Sequence, residues 1–269
     1  MEISSTTIGV FDSGIGGLTV VKALLEVIPG CRIVYLGDTA RTPYGSKSAS
    51  TIINYSLNNA AFLLRQGADA IVIACNTASS YAYEAVRARY AIPVFEVIGP
   101  GAFLAASRSR NRRIGVIGTR ATIASNIYPR RIKEILPDAA VYSAACPLLV
   151  PLVEEGWLDK PETRRIVKKY LRPLRDKHID TLILGCTHYP VLSDLIRRKI
   201  GQRVMLVDSA QAIALQIKKD KNFAHCSKEP DPIPLNDRCS LFITDIAEQF
   251  RRIVRLILSE PVRVQQADL

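Results

Sequence analysis

Two cysteines, Cys75 and Cys186, stand at positions where an α/β protein places its chemistry. Each directly follows an apolar segment typical of a buried strand, and open α/β sheets bind ligands beyond the carboxyl ends of their strands. Polar residues follow both cysteines: Asn76 and Thr77 after the first, and Thr187 and His188 after the second. A free cysteine is usually a small buried apolar residue. Here helix N-termini and His188 could favour thiolates, so we interpret the two cysteines as a functional pair.

A glycine-rich segment, D-S-G-I-G-G-L-T-V from Asp12 to Val20, follows the first predicted strand. A strand, a glycine turn and a helix resemble the dinucleotide-binding fingerprint, and Asp38 lies about the expected distance downstream. The spacing fails, because Thr19 occupies the position of the third glycine and Asp12 would repel a pyrophosphate. The segment instead places Asp12 and Ser13 at a strand end, where the N–H groups of a helix are available to an anionic ligand.

The sequence offers little support for a metal or cofactor site. The chain has 3 His, and the group formed by His225, Cys226 and Cys239 lacks the paired spacing of a zinc site. A pyridoxal enzyme would need a Schiff-base lysine, and Lys47 is the one lysine near a motif. We therefore expect neither a metal nor a cofactor.

The cysteine pattern and the apolar segments also bear on the cellular compartment. The 6 Cys contain no C-x-x-C pair, and a start with Glu2 and no early lysine or arginine is unlike a signal peptide. No apolar stretch approaches the roughly 18 residues needed to span a bilayer. We expect a cytoplasmic protein without membrane contact. Its cysteines are expected to be free thiols, with four of them as buried apolar residues: Cys31, Cys146, Cys226 and Cys239.

Short apolar segments alternate with longer helical patterns along the chain. We predict strands at Thr7–Phe11, Arg32–Leu36, Ala70–Ala74, Val94–Val97, Arg113–Ile117, Ala140–Ser143, Thr181–Leu184 and Arg203–Val207. The helical patterns include Gly17–Val27, Ser48–Gln66, Ala78–Arg89 and Pro161–Lys177. Continuous runs of Val and Ile are typical of strands covered on both faces of a parallel sheet. The alternation therefore predicts an open α/β fold.

The chain also resembles itself, which indicates two α/β halves of similar plan. I-G-V-F-D-S from Ile8 matches I-G-V-I-G-T from Ile114, and I-V-I-A-C-N-T ending at Thr77 matches L-I-L-G-C-T-H ending at His188. A V-Y pair between these segments repeats at a similar offset. Under this alignment the two functional cysteines are equivalent. Two facing halves would then present two thiols across one cleft.

Positive charge is concentrated in the middle of the chain. The formal net charge is +11, and residues 98–208 hold 20 Lys and Arg against 10 Asp and Glu. We therefore predict one domain at 98–208 and a discontinuous one formed by 1–97 and 209–269, with the C-terminal segment packed on the first half. That segment is predicted to contain a helix at Ser209–Lys218, a loop at Lys219–Pro234, a short strand at Leu241–Ile243 and a helix at Ile246–Leu258.

The positive charge leaves nucleic-acid binding open as an alternative function. The basic clusters contain no interleaved aromatic residues and no recognition-helix pattern. Arginines on a helix surface usually form a solvated face, so we do not expect nucleic acid as a partner.

Five motifs occur in one order along the chain: D-S-G-I-G-G-L-T-V, G-D-T-A-R-T-P-Y-G, A-C-N-T-A-S, V-P-L-V-E-E-G and G-C-T-H-Y-P. Together they resemble the glutamate racemases, cofactor-independent enzymes that supply D-glutamate for bacterial peptidoglycan. The resemblance runs from about Ile8 to Asp208. A-C-N-T and G-C-T-H also fit the wider aspartate/glutamate racemase superfamily, so an aspartate-specific racemase is a second interpretation. The D-S-G-I-G-G and P-Y-G motifs favour glutamate.

The resemblance implies two α/β domains with the active site in the cleft between them, and a homodimer that acts on glutamate without a cofactor. It assigns Cys75 and Cys186 as the thiols that remove the α-proton on one face and return a proton on the other. Asp12, Glu154 and His188 would assist them, while preorganised donors stabilise the carbanion. The resemblance also implies these substrate contacts: Asp12, Ser13, Tyr44, Gly45, Asn76, Thr77, Thr119, Thr122, Thr187 and His188.

Overall fold

The computed structural model describes residues 6–227, 234–246, 253–255, 257–258 and 262–269. Their strands form one sheet of six strands and one of four. Every described strand pair is parallel. Helices cover both sheets, so the chain forms two α/β domains, and the predicted fold class is confirmed.

The first domain is built on the six-stranded sheet. In spatial order its strands are Val264–Gln266 (β10), Cys239–Ile243 (β9), Arg32–Gly37 (β2), Thr7–Asp12 (β1), Ala70–Ile73 (β3) and Val94–Glu96 (β4). Because β9 pairs with β2 and β10 pairs with β9, the C-terminal segment extends the sheet of the N-terminal half. The prediction missed β10, whose three residues are only partly buried or exposed and so carry no strand pattern.

The second domain is built on the four-stranded sheet. In spatial order its strands are Ala140–Ala145 (β6), Arg113–Gly118 (β5), Thr181–Gly185 (β7) and Met205–Asp208 (β8). This order repeats the order β2, β1, β3, β4 of the first sheet. The sequence repeat therefore corresponds to a repeat of topology, in which β1 matches β5 and β3 matches β7.

Helices follow most strands and lie on the faces of the sheets. They are Leu18–Val27 (α1), Ala49–Arg65 (α2), Asn76–Arg89 (α3), Ile98–Arg108 (α4), Arg120–Ala124 (α5), Ile127–Ile135 (α6), Leu149–Glu154 (α7), Pro161–Arg175 (α8), Ser193–Ile200 (α9), Ser209–Lys219 (α10) and Leu235–Arg238 (α11). The side chains of Cys75 and Thr119 accept N–H groups at the starts of α3 and α5. These caps satisfy backbone donors that a helix start leaves unpaired, so each helix begins directly after a strand end.

Apolar side chains alternate between the two faces of each strand, so each domain has two core layers. In β1, Ile8 and Val10 pack with α1 and α10, whereas Phe11 packs with α2 and α3. In β7, Leu182 packs with α8 and α9, whereas Ile183 packs with α4 and α6. Burial on both faces explains why these strands are continuously apolar.

The prediction that all six cysteines are free thiols is wrong for Cys31 and Cys226, which form a disulfide. A 3₁₀ turn at Lys221–Ser227 brings Cys226 to the start of β2, where the Gly30 N–H donates to the Cys226 carbonyl at 2.9 Å. The partners are 195 residues apart in sequence. A pairing made by such long-range packing leaves no local spacing to detect. The free and buried cysteines are Cys75, Cys146, Cys186 and Cys239.

Part of the C-terminal prediction lies outside the described residues. Of the helix predicted at Ile246–Leu258, residues 253–255 and 257–258 are described and helical. Of the loop predicted at Lys219–Pro234, residues 221–227 form the 3₁₀ turn and 228–233 are not described. Among the helices that the structure describes, none is long and apolar enough to cross a membrane.

Many basic residues of the second domain lie on its helices. Helix α8 exposes Arg164, Arg165, Lys168 and Lys169, and Asp159 pairs with Arg164 at 2.6 Å. Exposed ion pairs of this kind contribute little to stability. The positive charge on α8 is therefore a solvated helix surface.

Candidate active site

The carboxyl ends of β1 and β3 meet those of β5 and β7, and polar residues of the two domains contact each other there. The Thr187 hydroxyl of the second domain donates to the Asp12 carboxylate of the first at 3.1 Å. The Thr77 hydroxyl of the first domain lies 2.9 Å from the Thr119 hydroxyl of the second. These contacts border a cleft between the domains, in which Cys75 and Cys186 lie near each other.

Cys75 lies between β3 and α3 and is nearly fully buried. Its sulfur accepts the Ala78 N–H and donates to the Ser13 hydroxyl, both at 3.4 Å. Burial, together with the nearby Asp12 carboxylate, raises the pKa of the Cys75 thiol to about 12. Cys186 adds to this rise, as two groups that become negative in one cleft disfavour each other's charge. In the ligand-free site, Cys75 therefore holds its proton.

Cys186 directly follows β7 and lies beside a histidine. Its sulfur is 3.9 Å from His188 Nδ1, and His188 Nε2 is 3.1 Å from Glu154 Oε1 at the end of α7. Burial opposes a charge on His188, but the hydrogen bonds to Cys186 and Glu154 outweigh it and raise the His188 pKa to about 10. At neutral pH a positive imidazolium therefore stands next to Cys186.

Asp12 ends β1 and is fully buried. Its carboxylate accepts the Gly14 N–H at 3.0 Å as well as the Thr187 hydroxyl. Burial raises the Asp12 pKa, while the charge of His188 and these hydrogen bonds partly offset the rise. Asp12 is thus an acidic group on the Cys75 side whose protonation depends on the groups in the cleft.

The glycines of the D-S-G-I-G-G segment allow the second domain to approach closely. A Cβ at Gly16 would lie 2.5 Å from His188 Nδ1 and would also overlap the Thr187 hydroxyl. The hydroxyl of Thr19, the second residue of α1, donates to the Thr187 carbonyl at 3.3 Å. The segment therefore serves as a contact surface for the loop that carries Cys186.

Three threonine hydroxyls form a closed triangle across the cleft. Thr77, Thr119 and Thr122 lie 2.9 to 3.1 Å from one another. Gly45 borders the triangle, since a Cβ there would lie 2.7 Å from the Thr119 Cβ. Thr119 Oγ1 also accepts the Thr122 N–H at 3.2 Å. The bonds among the three hydroxyls can be exchanged for bonds to a ligand carboxylate. The triangle therefore provides preformed hydrogen-bond donors at the boundary between the two domains.

Tyr44 turns its side chain away from this cluster. Its hydroxyl bonds to the Asp38 carboxylate and accepts from Asn59 at 3.0 Å. Arg41 pairs with the same carboxylate at 2.8 Å. Burial and the Asp38 charge raise the Tyr44 pKa well above its usual range. A ligand contact at this position would therefore involve the main chain of Tyr44 and Gly45, because the hydroxyl is already engaged.

Two residues at the site were not predicted from the sequence. The Tyr128 hydroxyl donates to Asn76 Oδ1 at 2.6 Å, and Asn76 Nδ2 donates to the Ser209 hydroxyl at 3.4 Å. Tyr128 lies in α6 of the second domain, 52 residues from Asn76. A contact between residues so far apart in sequence leaves no local signal. An aromatic residue in a helix is usually interpreted as a core residue.

The fold and the site together define a class of protein. Two similar α/β domains bring one thiol each to a shared cleft, with an acid on one side and a histidine on the other. Such a site can remove a proton from one face of a carbon and deliver a proton to the opposite face. This arrangement characterises the cofactor-independent amino-acid racemases.

Comparison with known proteins places the chain within this class. Residues 18–217 match the model of the Asp/Glu/Hydantoin racemase family, and the chain belongs to that family. It is 48% identical to a glutamate racemase of Persephonella marina over 98% of this chain and 97% of the relative. A solved glutamate racemase isoform from Bacillus anthracis superposes with a TM-score of 0.91 at 35% identity, with 98% of each chain covered. The glutamate racemase of Francisella tularensis, solved in complex with D-glutamate, gives 0.89 at 37% identity, again covering 98% of each chain.

Proposed function

We propose that the chain interconverts L- and D-glutamate by proton transfer between two cysteine thiols. The observation that carries the proposal is the placement of Cys75 and Cys186 after equivalent strands, β3 and β7, in the two domains that form one cleft. The named relatives are glutamate racemases, and one is solved with D-glutamate. The biological role that follows is the supply of D-glutamate for peptidoglycan synthesis.

The reaction needs one thiolate and one thiol. The thiolate sulfur takes the α-proton as the Cα–H bond breaks, and the electron pair stays on the α-carbon. The opposite thiol then gives its proton to the other face of that carbon and becomes the new thiolate. An α-proton is less acidic than a thiol, so the base must be strong and the carbanion stabilised. Burial, which raises the Cys75 pKa to about 12, makes its thiolate a stronger base.

Three further residues would assist the thiols. His188, held by Glu154, would place its positive charge beside Cys186 and stabilise the thiolate there. Asp12 would act on the Cys75 side, where its buried carboxyl can exchange a proton or accept from the substrate ammonium. The two sides of the cleft would thus use different chemistry for the same step.

Polar groups between the thiols would hold the substrate. The threonine triangle would open to bind one carboxylate beside the starts of α3 and α5, which carry Thr77 and Thr122. Carboxylates bound by preorganised neutral donors need no metal ion or basic side chain. The residues proposed to contact substrate are Asp12, Ser13, Tyr44, Gly45, Asn76, Thr77, Thr119, Thr122, Thr187 and His188.

We also propose the domain limits and the assembly of the protein. Residues 1–97 with 209–269 would form the first domain and 98–208 the second. The pairing of β9 with β2, and the packing of α4 in the core of the second domain, support these limits. The protein would act in the cytoplasm as a homodimer, which sedimentation equilibrium can test.

Circular dichroism of glutamate solutions tests the activity directly. Purified protein without added cofactor should drive both L- and D-glutamate to an optically inactive mixture. In deuterated water the α-proton of each enantiomer should exchange, and aspartate at the same concentration should react much more slowly. A protein that neither racemises nor exchanges glutamate at high concentration would refute the proposal. Faster turnover of aspartate would refute the choice of substrate.

A further inference from the structure

Tyr128 is a core residue of the second domain that reaches the first. Its ring is 1% exposed and packs with Ile183 and Val207 of the second sheet. Its hydroxyl leaves that core and donates to Asn76 Oδ1 at 2.6 Å. Burial, together with the charges of acidic neighbours, keeps the Tyr128 pKa well above its usual range. The hydroxyl therefore remains a donor throughout the working pH range.

Asn76 links Tyr128 to the segment between β3 and α3 that carries Cys75, which we call the Cys75 loop. It is the first residue of α3 and directly follows Cys75. Its Nδ2 also donates to the hydroxyl of Ser209, the first residue of α10, at 3.4 Å. With Oδ1 occupied by Tyr128 and one N–H by Ser209, the orientation of the Asn76 amide is fixed, and one N–H remains for a ligand. The buried group is satisfied only while both partners are present.

The ring of Tyr128 also contacts the strand that carries the other thiol. A Cβ at Gly185, the last residue of β7, would lie 3.1 Å from Tyr128 Cε2. The ring edge therefore lies directly against the main chain that precedes Cys186. One side chain thus touches the residues that flank both cysteines, by its hydroxyl on the Cys75 side and by its ring on the Cys186 side.

We propose that Tyr128 is a positioning residue that sets the Cys75 loop relative to the Cys186 loop. The proposal rests on the two-thiol reaction proposed above. The hydroxyl acts through Asn76 and so affects proton transfer at Cys75, whereas the ring supports Gly185 and so affects Cys186. The two parts of one side chain can therefore be separated by substitution.

Tyr128→Phe keeps the ring and removes the hydroxyl. We expect kcat to fall about 10- to 100-fold, the range for a misplaced reacting group, while KM changes less. Tyr90→Phe is the matched control, because it also removes a tyrosine hydroxyl bond, here to the Leu57 carbonyl at 3.3 Å within the first domain. The control should keep kcat within about twofold.

Single-thiol enzymes separate positioning from a general loss of structure. In Cys186→Ser the α-proton exchange in deuterated water depends on Cys75, and in Cys75→Ser it depends on Cys186. Adding Tyr128→Phe should slow the exchange by Cys75 at least about tenfold more than the exchange by Cys186. Equal losses in the two backgrounds would refute the positioning role of Tyr128 but would not bear on the two-thiol reaction. If either single-thiol parent racemises glutamate at a near-normal rate, the two-thiol reaction itself is refuted, and the positioning role with it.

A double-mutant cycle tests whether the hydroxyl acts through Asn76. In an Asn76→Ala background, Tyr128→Phe should cause no further loss of kcat. Fully additive losses from the two substitutions would contradict the proposed route.

Discussion

Cys75 and Cys186 occupy equivalent positions in two similar domains, yet their surroundings differ. Cys75 contacts neutral donors and acceptors, the Ala78 N–H and the Ser13 hydroxyl, with the Asp12 carboxylate nearby. Cys186 lies beside His188, whose positive charge is held by a glutamate. A repeated scaffold supplies the same reactive group twice, and the residues around each copy make the two different.

The difference concerns the charge that surrounds each thiol. Burial and the Asp12 carboxylate disfavour a thiolate at Cys75, whereas the raised pKa of His188 keeps a positive charge beside Cys186. For Cys75 to act as the base in one direction of the proposed reaction, its penalty must be offset. The substrate ammonium, a positive charge brought into the cleft, is suited to do this.

Removing either thiol should have the largest effect. Cys75→Ser and Cys186→Ser should each lower racemisation at least about 10³-fold, because a serine hydroxyl is a far weaker acid than a thiol and is hardly ionised at neutral pH. Each variant should still exchange the α-proton of one enantiomer, and the two should prefer opposite enantiomers. Proton NMR in deuterated water measures both rates. Cys239→Ala removes a free buried cysteine outside the cleft and should retain near-normal turnover.

Removing the cation beside Cys186 should have the next largest effect. His188→Asn should lower kcat about 10²-fold, the usual contribution of a positioned proton-transfer group. The loss should fall mainly on exchange by Cys186 when measured in the single-thiol backgrounds. Equal losses at both thiols would show that the two sides of the cleft are not chemically distinct.

His188→Asn should also change how the stability of the fold depends on pH. The folded His188 pKa of about 10 exceeds its ordinary value of 6.5, so the protonated histidine stabilises the fold. This contribution is complete below pH 6.5 and is lost as the pH rises through about 10. The difference in unfolding free energy between wild type and His188→Asn should therefore shrink over that window, by at most about 1.4 kcal/mol per pH unit. His178→Asn, which changes an exposed histidine of the same domain, is the control.

Altering the contact between the two domains should have a smaller effect on turnover than replacing a thiol or His188. Gly16→Ala introduces a Cβ that overlaps the Thr187 and His188 side chains, so the Cys186 loop must move away. We expect kcat/KM to fall about tenfold. Gly14→Ala, in the same segment, adds a Cβ whose nearest neighbour is the Thr42 hydroxyl at 3.3 Å, so its effect should be milder. A larger loss for the Gly14 variant would contradict this account of the segment.

The sequence predicted those parts of the molecule that depend on local pattern. The buried parallel strands are continuously apolar, so their positions and the strand-end cysteines followed from periodicity. The internal repeat likewise anticipated the matching order of β1 and β5 with their neighbours. The contact of the D-S-G-I-G-G segment with the Cys186 loop could not be foreseen. That contact depends on how two domains meet.

Long-range contacts account for what the sequence did not predict. Tyr128 reads as an ordinary core residue, and its bond to Asn76 exists only when the domains are assembled. The threonine triangle draws on two domains in the same way. Tyr44 lies in a family motif, but whether its hydroxyl or its main chain faces the cleft depends on the packing of Asp38. Packing of this kind is invisible to periodicity and spacing.

The disulfide should have the smallest effect on turnover, which contrasts it with the two free thiols in the cleft. It joins Cys31 and Cys226 in the first domain, among apolar residues that pack on α1 and α10. Closing a span of 195 residues restricts the unfolded chain, and such crosslinks typically add about 2 to 4 kcal/mol. The Cys31→Ser, Cys226→Ser double variant should lose stability of this order and keep kcat within about twofold. A reductant should lower the Tm of the wild type and leave that of the double variant unchanged. An unchanged Tm for the wild type would mean that the two cysteines act only as packed core residues.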